Sequence, residues 1–193
     1  ALDAPGGFGL ADEQFLRGEV PMTKQEVRAA ALAKLAVQPG DTLWDVGAGT
    51  GSVSVELALA APRGHVYAVE CDPEACGLIR QNRERFHACN LTLVEGRAPA
   101  ALADLPAPDA VFIGGTKGGM ETVVDTVLAR NPNARICISA IALETLSAAV
   151  AALTAHGLDA EVTQIAVSRT RPAGRLHLLM ANNPIFLITG ERK

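Results

Sequence analysis

Three glycines at alternate positions, between an apolar strand pattern and a helical one, are the residues of this chain best suited to binding a ligand. They are Gly47, Gly49 and Gly51, with the strand pattern at 42–46 and the helical pattern from Ser52 to Ala60. Glycine has no Cβ, so the backbone there can approach a bound molecule closely, and the following helix presents free N–H groups. A second strand pattern ends at Glu70, whose carboxylate can accept hydrogen bonds from both hydroxyls of a ribose. The pattern predicts a nucleoside-binding site.

The spacing of these glycines separates two kinds of nucleotide ligand. The dinucleotide fingerprint G-x-G-x-x-G needs its third glycine at position 52, but that residue is Ser52 and the third glycine is Gly51. The spacing G-x-G-x-G after an acid, Asp45, resembles motif I of the class I S-adenosylmethionine-dependent methyltransferases. It implies S-adenosyl-L-methionine as the cofactor, with Asp45 near its ammonium group and loop N–H groups near its carboxylate. That glycine loop is Gly47, Ala48, Gly49, Thr50 and Gly51.

A glycine-rich turn that binds nothing is the alternative interpretation of this loop. It is disfavoured because Glu70 follows about 20 residues later, in the register that nucleoside-binding sheets require.

The loops after the third and fourth predicted strands reach the same edge of the sheet, because ligands bind at the carboxyl ends of parallel strands. The first, 95–98, is expected to cover the adenine, with Arg97 and Ala98 as contacts; an ordinary turn is the alternative. The second, 114–119, has four glycines in six positions, and its candidates for substrate contact are Gly114, Gly115 and Lys117. It lacks the Asn/Asp-Pro-Pro-Tyr motif of DNA and protein-glutamine amino methyltransferases, which argues against an exocyclic amino group as the methyl acceptor.

Basic residues near the C-terminus are candidates for binding an acidic substrate. Three arginines fall within seven residues of an otherwise acidic chain, and guanidinium groups pair bidentately with carboxylates. A solvated charged turn explains the cluster equally well. The candidates are Arg169, Arg171 and Arg175, with Lys24, Arg28 and Lys117 as additions. The four histidines, His65, His87, His156 and His177, show no metal-ligand spacing, so no metal is expected.

Alternating strand and helix patterns must position these groups. Thr23 followed by Glu26 is a capping-box signature that predicts a helix from Lys24 to the breaker Pro39-Gly40. Five strands separated by helices then predict an α/β fold, with a parallel sheet covered on both faces, and a turn at 171–174 predicts a closing antiparallel hairpin. The predicted strands are 42–46, 65–70, 91–94, 109–113, 134–139, 160–168, 176–179 and 185–189, and the later helices are 51–61, 73–87, 98–104, 119–129 and 142–156.

Composition limits the class of protein. The chain has 193 residues, which suits one domain, and 49% of them are hydrophobic, enough for a core. A formal net charge of −4 argues against a general nucleic-acid-binding protein. The four cysteines form no C-x-x-C pair and are expected to be free thiols. No apolar run would span a bilayer and no signal peptide is evident, so we expect no membrane association and a cytoplasmic location.

The first residues differ from the rest. Residues 1–22 lack periodicity and are interpreted as an N-terminal arm or linker, with 23–193 as one methyltransferase domain. The chain starts at Ala1 and opens with a glycine-rich leader, which favours a domain excised from a longer protein.

Several segments together resemble the precorrin-6Y methyltransferases (decarboxylating) of cobalamin biosynthesis. The more particular ones are 21–28 and Leu143-Glu144-Thr145, and the others include 12–15, 45–51, 95–99, 112–115 and 183–185. The resemblance implies a C-methyltransferase that acts on a precorrin-type tetrapyrrole, methylating carbon 15 and decarboxylating an acetate side chain. It also implies the class I fold, a Rossmann-like seven-stranded sheet whose last strand is inserted antiparallel.

The same resemblance implies roles and partners. Thr23, the glycine loop, Glu70 and Ala98 would contact S-adenosylmethionine. The three arginines would hold peripheral acetates and propionates of the substrate, and Glu144 and Lys117 would face the same cleft. Stand-alone relatives form tetramers, which implies a homo-oligomer, and in other organisms the domain is fused behind a second methyltransferase. No catalytic residue is assigned, since an electron-rich meso carbon needs no strong base before it attacks a sulfonium methyl group.

Other functions fit parts of the pattern. A methyltransferase acting on another small acidic metabolite, a protein side chain or RNA would share the cofactor motif, although one Trp, one Tyr and five Phe supply no aromatic platform for RNA. A non-catalytic nucleoside-binding scaffold would keep the fold, since fold alone does not establish activity. A dehydrogenase is disfavoured by the position of Gly51.

Overall fold

The computed structural model describes residues 9–191, and for Glu191 the backbone alone. The part of the predicted arm that precedes Gly9 lies outside the described residues. The strands are β1 (Thr42–Val46), β2 (His65–Glu70), β3 (Leu91–Glu95), β4 (Ala110–Ile113), β5 (Arg135–Ala140), β6 (Asp159–Ile165), β7 (Ser168–Ala173), β8 (Leu176–Ala181) and β9 (Ile185–Glu191). The α-helices are α1 (Gln25–Leu35), α2 (Ser52–Ala60), α3 (Pro73–Arg85), α4 (Met120–Arg130) and α5 (Leu143–Ala155).

A seven-stranded sheet in the order β3-β2-β1-β4-β5-β9-β6 forms the centre of the molecule. The first five strands of that order are parallel, and β9 runs antiparallel to both of its neighbours. The order of strands reverses between β1 and β4, which is the kind of switch point where open α/β sheets bind ligands. The predicted α/β fold with an inserted antiparallel strand is confirmed.

Helices cover both faces of the sheet. Side chains of α1, α2 and α3 pack in one core cluster and those of α4 and α5 in the other. The central strands β1 and β4 are buried almost throughout, which is why their sequences are nearly continuous apolar runs rather than alternating ones. Among residues 9–191, no helix has the length and apolar character needed to cross a bilayer.

Three predicted boundaries are wrong where the chain departs from regular structure. The predicted helix 98–104 contains only a short 3-10 turn, Ala100–Leu102. The predicted strand 160–168 is divided into β6, which joins the main sheet, and β7, which pairs with β8 in a separate two-stranded sheet. The predicted turn at 171–174 is displaced to the end of β7, where Gly174 has a φ of 62°. Four apolar side chains of β8 are exposed: Leu176, Leu178, Leu179 and Met180.

The start of α1 is capped by a residue distant in sequence. The N-cap is Lys24, without a side-chain hydrogen bond, and the N–H of Gln25 donates to Oδ1 of Asp12 at 2.9 Å. The predicted capping box is therefore wrong, because the arm folds back and supplies the carboxylate that favours a helix N-terminus. The helix also ends before the predicted breaker, with Ala36 in the left-handed region at a φ of 45°.

A buried ion network fastens residues 9–22 to α1 and α2. The fully buried guanidinium of Arg28 donates to Oε1 of Glu56 at 2.7 Å and to Oδ1 of Asp12 at 2.8 Å. It also lies 4.7 Å from the centre of the Phe15 ring. Glu56 accepts further hydrogen bonds from the backbone N–H groups of Gly9 and Leu10. Arg28 is thus occupied within the protein and is not accessible to an acidic substrate.

Candidate active site

Two adjoining cavities open at the carboxyl ends of β1, β2 and β4. The inner cavity has a volume of about 140 Å³ and the outer cavity about 610 Å³. Both are lined by Gly47, Glu70 and Lys117. The inner cavity is also lined by Val46, Val69, Cys71, Gly96, Arg97, Ala98, Gly115 and Thr116. The outer cavity is also lined by residues 19–23, Ala48, Gly49, Thr50, Ser52, Asp72, Glu74, Ala75, Gly114, Ser139, Ile141 and Ile185.

The glycine loop owes its glycines largely to the protein's own packing. Gly47 has a φ of 73°, and a Cβ there would lie 2.3 Å from the carbonyl oxygen of Gly115 in the loop after β4. Gly51 has a φ of 76°, and its Cβ would meet Cγ1 of Ile79 on α3 at 3.0 Å. The predicted reason, close approach of a ligand, therefore does not account for these two glycines, because protein atoms fill the space.

Hydrogen bonds join the glycine loop to the end of β2. The N–H groups of Gly47 and Ala48 donate to the carbonyl oxygen of Val69 at 2.9 and 3.1 Å. The N–H of Gly49 donates to Oε2 of Glu70 at 2.9 Å. With these donors engaged, the first turn of α2 supplies the N–H groups that lack an intrahelical acceptor and are left for a bound anionic group.

The carboxylate of Glu70 is oriented by three backbone N–H groups. Its Oε1 accepts from Cys71 at 2.7 Å and from Asp72 at 2.9 Å, and its Oε2 accepts from Gly49. A carboxylate has about four acceptor sites, so Oε2 keeps capacity for one more donor. Glu70 lines both cavities, and its orientation is set without any contribution from a ligand.

Two polar atoms of the glycine loop and its strand are buried without a partner. Asp45 is 1% exposed; its Oδ2 accepts from the hydroxyl of Ser54, but its Oδ1 has no hydrogen-bond partner. Burial raises the pKa of Asp45 to about 7, against the opposing effect of the Ser54 hydrogen bond and with a further rise from the charge of Glu70. Oγ1 of Thr50 is also buried and unpaired. Buried polar atoms without partners are rare in folded proteins, so this loop is suited to a polar ligand.

The inner cavity has a small apolar wall and a basic rim. Val69 and Ala98 face the cavity together with Arg97 and Lys117. Nζ of Lys117 lies 3.6 Å from Sγ of Cys71. In the described part of the chain, Lys117 is the only basic residue that lines the outer cavity, whose other charged residues are Glu19, Glu70, Asp72 and Glu74.

The chain matches known proteins over almost its whole length. The profile of the precorrin methyltransferase domain matches residues 14–192. The chain belongs to the precorrin methyltransferase family. A protein of Pyrobaculum calidifontis named "Probable cobalt-precorrin-6B C(15)-methyltransferase (decarboxylating)" is 47% identical over 186 residues, which cover 94% of each chain. A Salmonella typhimurium protein named cobalt-precorrin-6B C(15)-methyltransferase (decarboxylating) is 40% identical over 187 residues, covering 95% of this chain and 96% of its own.

A solved structure agrees with these sequence relatives. It is that of precorrin-6y C5,15-methyltransferase from Geobacter metallireducens, which is 41% identical and superposes with a TM-score of 0.91. The match covers 96% of this chain and 97% of the Geobacter chain. Membership of the family therefore rests on sequence and on fold together.

The structure gathers most of the residues predicted for this family around the cavities. Of the predicted cofactor residues, eight line one cavity or both: Thr23, Gly47, Ala48, Gly49, Thr50, Glu70, Arg97 and Ala98. Asp45 lies at the base of the glycine loop on β1, and Gly51 is the N-cap of α2. The predicted substrate residues Gly114, Gly115 and Lys117 also line the cavities.

Five predicted substrate residues line neither cavity in the described chain: Lys24, Glu144, Arg169, Arg171 and Arg175. Arg169 is paired within the protein, since its guanidinium lies 2.7 Å from Oε2 of Glu26 and 3.2 Å from Oδ2 of Asp12. This pairing lowers the pKa of Glu26. Arg171 and Arg175 are exposed on the β7–β8 hairpin, and Glu144 is exposed in the first turn of α5. Of the five, Arg169 would have to leave its carboxylate partners to bind a substrate.

Sequence reasoning missed two parts of this site. Residues 19–22, which precede the predicted Thr23, form a wall of the outer cavity although nothing in their composition indicates binding. Ser139 and Ile141, at the end of β5, also line it. Ser139 and Ile141 could have been predicted, because ligands bind at the carboxyl ends of parallel strands. Nothing in the local sequence identifies residues 19–22, because their position depends on contacts with residues far along the chain.

Proposed function

We propose that this chain is an S-adenosylmethionine-dependent C-methyltransferase of cobalamin biosynthesis. Its substrate would be a precorrin-type tetrapyrrole, methylated at carbon 15 with loss of carbon dioxide from an acetate side chain. The observation that carries the proposal is that relatives named for this reaction align with 94% or more of the chain. The family profile, at residues 14–192, spans every residue that lines the two cavities.

The residues of the site fit S-adenosylmethionine. Oγ1 of Thr50, which lines the outer cavity, is suited to the ammonium group of the cofactor, and the charge of Asp45, which lines neither cavity and lies at the base of the glycine loop, attracts that group. The remaining acceptor site on Glu70 is suited to a ribose hydroxyl. The inner cavity, with Val69 and Ala98 in its wall, is suited to an adenine ring. Acidic residues around the outer cavity favour a cationic cofactor over a phosphate-bearing one.

The residues of the chain contribute mainly by positioning. When bound, S-adenosylmethionine supplies an electrophilic methyl group on a sulfonium centre. Among residues 9–191, no histidine lines either cavity, which suits an acceptor carbon that is nucleophilic without a base. Holding donor and acceptor in line can contribute ~7–11 kcal/mol to lowering the barrier. The walls formed by residues 19–23 and by the glycine loop are the parts of the chain placed to do so.

Lys117 is the group placed to orient an acidic substrate. Its position at both cavities makes its ammonium group available to the carboxylate of the acetate that is lost. In the decarboxylation the bond between that carboxylate and its methylene carbon breaks, and carbon dioxide leaves. The electron pair passes into the conjugated ring system, and a proton from solvent completes the new methyl group. Lys117 need only orient the carboxylate for this step.

Turnover with a labelled methyl donor tests the proposed function. Incubation of the chain with S-adenosylmethionine carrying a ¹³C methyl group and a precorrin-6-type tetrapyrrole should give one labelled methyl group on carbon 15 and one carbon dioxide per turnover. Mass spectrometry and NMR of the product measure both. Methyl transfer without carbon dioxide release would contradict the decarboxylating function. Binding of S-adenosylhomocysteine without any turnover would favour the scaffold alternative.

Affinity for S-adenosylhomocysteine should depend on pH through Asp45. Because its pKa is about 7, the carboxyl is ionised and attracts an ammonium group above this value and is neutral below it. The affinity should therefore be full above neutral pH and fall as the pH decreases through 7, by up to about tenfold per unit. Calorimetric titration between about pH 5.5 and 7.5 measures the effect, since this range lies below the ordinary pKa of an α-amino group and the ammonium group of the ligand stays charged.

The matched variant is Asp45→Asn, which keeps the shape of the side chain and cannot ionise. It should bind more weakly than the wild type above pH 7 and lose the pH dependence. A flat profile for the wild-type chain, or an unchanged slope in the variant, would show that the charge of Asp45 does not act on the ammonium group.

A further inference from the structure

A buried asparagine on α3 joins the glycine loop to the segment that leads into residues 19–23, and both line the outer cavity. The side-chain amide of Asn82 is fully buried. Its Oδ1 accepts from the N–H of Leu16 at 2.8 Å, and its Nδ2 donates to the carbonyl oxygen of Leu16 at 2.7 Å. The same Nδ2 donates to the carbonyl oxygen of Thr50 in the glycine loop at 2.9 Å. One side chain therefore bonds both backbone groups of Leu16 and one of the glycine loop.

The segment that Asn82 holds continues directly into the wall of the cavity. We call residues 15–23 the strap. Its first residue, Phe15, is buried against Arg28 and Phe86, and residues 19–23 line the outer cavity. The carbonyl oxygen of Pro21 lies 3.4 Å from where a Cβ on Gly49 would be. The strap thus lies against the glycine loop. It is anchored by Phe15 at one end and continues into α1 at the other, so these two ends set its distance from the loop.

We propose that Asn82 is a positioning residue of the cofactor site, which ties the strap to the glycine loop and thereby sets the affinity for the S-adenosyl ligand. This inference rests on the proposed function, in that it assumes the ligand class. Asn82 lines neither cavity, so it acts through Leu16 and Thr50. The carbonyl that it holds belongs to the residue whose buried Oγ1 is unpaired. A ligand that binds this hydroxyl needs Thr50 in a fixed position.

The chemistry of the amide explains why the position is asparagine. The three bonds need one acceptor and two donor hydrogens on a single planar group, which an amide supplies. A carboxylate of the same shape would place a charge against two carbonyl oxygens and would have no donor. Without the amide, the strap keeps its anchor at Phe15 but loses its connection to the loop. The ligand would then have to order both segments when it binds. The apparent Kd would rise, because it equals the intrinsic Kd divided by the fraction of molecules in which the segments are already ordered.

A second asparagine, Asn90, which is half-buried, supplies a control with a similar set of hydrogen bonds. Nδ2 of Asn90 has two hydrogens and lies within hydrogen-bond distance of three backbone carbonyl oxygens at the other end of α2, those of Ala58, Ala61 and Gly64, at 3.0, 2.8 and 3.3 Å. It touches neither the strap nor the glycine loop. Loss of Asn90 therefore removes a comparable number of hydrogen bonds from the fold without releasing the strap.

The test compares Asn82→Ala with Asn90→Ala in the full chain. Calorimetric titration with S-adenosylhomocysteine should give a Kd raised by about tenfold to 100-fold in Asn82→Ala and unchanged within about twofold in Asn90→Ala. Urea denaturation should show similar losses of stability in both. Trypsin should cleave after the exposed Arg17 faster in Asn82→Ala than in Asn90→Ala, and the ligand should slow that cleavage.

The outcomes separate this inference from the proposed function. Failure of the wild-type chain to bind S-adenosylhomocysteine would overturn the proposed function and the inference with it. Wild-type binding together with an unchanged Kd in Asn82→Ala, or with equal losses in both variants, would overturn the inference alone. If Asn82→Ala does not fold, Asn82→Ser replaces it in the test. Serine keeps one hydroxyl donor, and the variant should raise the Kd by several-fold. An unchanged Kd in Asn82→Ser would also overturn the inference alone.

Discussion

Replacing Arg28 by methionine is expected to lower the free energy of unfolding by about 3–5 kcal/mol, because it leaves buried Glu56 without a cation and Asp12 with Arg169 alone. The guanidinium is fully buried between Asp12 and Glu56, at 2.8 and 2.7 Å. Methionine keeps much of the side-chain length and its contact with Phe15, so the loss of charge is the main change. Urea denaturation followed by circular dichroism measures the effect.

The control for this prediction is an arginine whose ion pair is exposed. Arg80 pairs with Glu95, and both side chains are at least 50% exposed, so Arg80→Met should cost less than about 1 kcal/mol. Similar losses in the two variants, or a loss below about 1 kcal/mol for Arg28→Met, would show that the buried network contributes little to stability. A large difference would establish that residues 9–22 are held mainly by this network.

Much of the fold follows from local patterns. The strands β1 and β2 have the predicted bounds because each is a short apolar run that ends at a glycine or an acid. The residues around the cavities were predictable for the same reason, since a parallel sheet places Gly47, Glu70 and Ala98 at one edge wherever its strands end. Local order and the topology of the sheet are sufficient for this part of the site.

The errors have a common physical cause, which is contact between residues far apart in sequence. Thr23 and Glu26 have the spacing of a capping box, yet Asp12 caps the helix and Glu26 pairs with Arg169, 143 residues away. Arg169 was predicted to bind a substrate because it belongs to a cluster of three arginines in an otherwise acidic chain. Both acids that engage it lie in or beside the N-terminal segment, and no pattern within a window of the sequence relates them to the hairpin.

Asp12 therefore links three parts of the molecule. Its Oδ1 accepts from Arg28 and from the N–H of Gln25, and its Oδ2 lies 3.2 Å from Arg169 on β7. The strap that follows it covers the glycine loop, so the hairpin and the cofactor cavity share one anchor. The N-terminal segment, which has no periodic pattern, is in this way part of the site, which explains why residues 19–22 were not predicted to line the outer cavity.

Replacing Gly47 by alanine is expected to disrupt the site more than any other single change considered. The new Cβ would lie 2.3 Å from the carbonyl oxygen of Gly115 and 2.8 Å from its N–H nitrogen, at a φ of 73°. The left-handed backbone costs roughly 1–2 kcal/mol for a residue with a Cβ, and relief of the clash by movement of the backbone costs about 1–3 kcal/mol more. Separation of the two loops displaces the lining of both cavities and should raise the Kd for S-adenosylhomocysteine by about tenfold or more, since about 1.4 kcal/mol of lost interaction corresponds to tenfold.

Gly157→Ala isolates the effect of the backbone conformation from that of the clash. Gly157 has nearly the same φ, 70°, and a Cβ there would have no atom within 4 Å. This variant should lose only about 1–2 kcal/mol of stability and keep the affinity of the wild type. Calorimetric titration and urea denaturation of both variants make the comparison. Gly47→Ala could instead behave like Gly157→Ala in both measurements. The loops after β1 and β4 would then separate without loss of stability or affinity, and the contact between Gly47 and Gly115 would not determine the shape of the cofactor site.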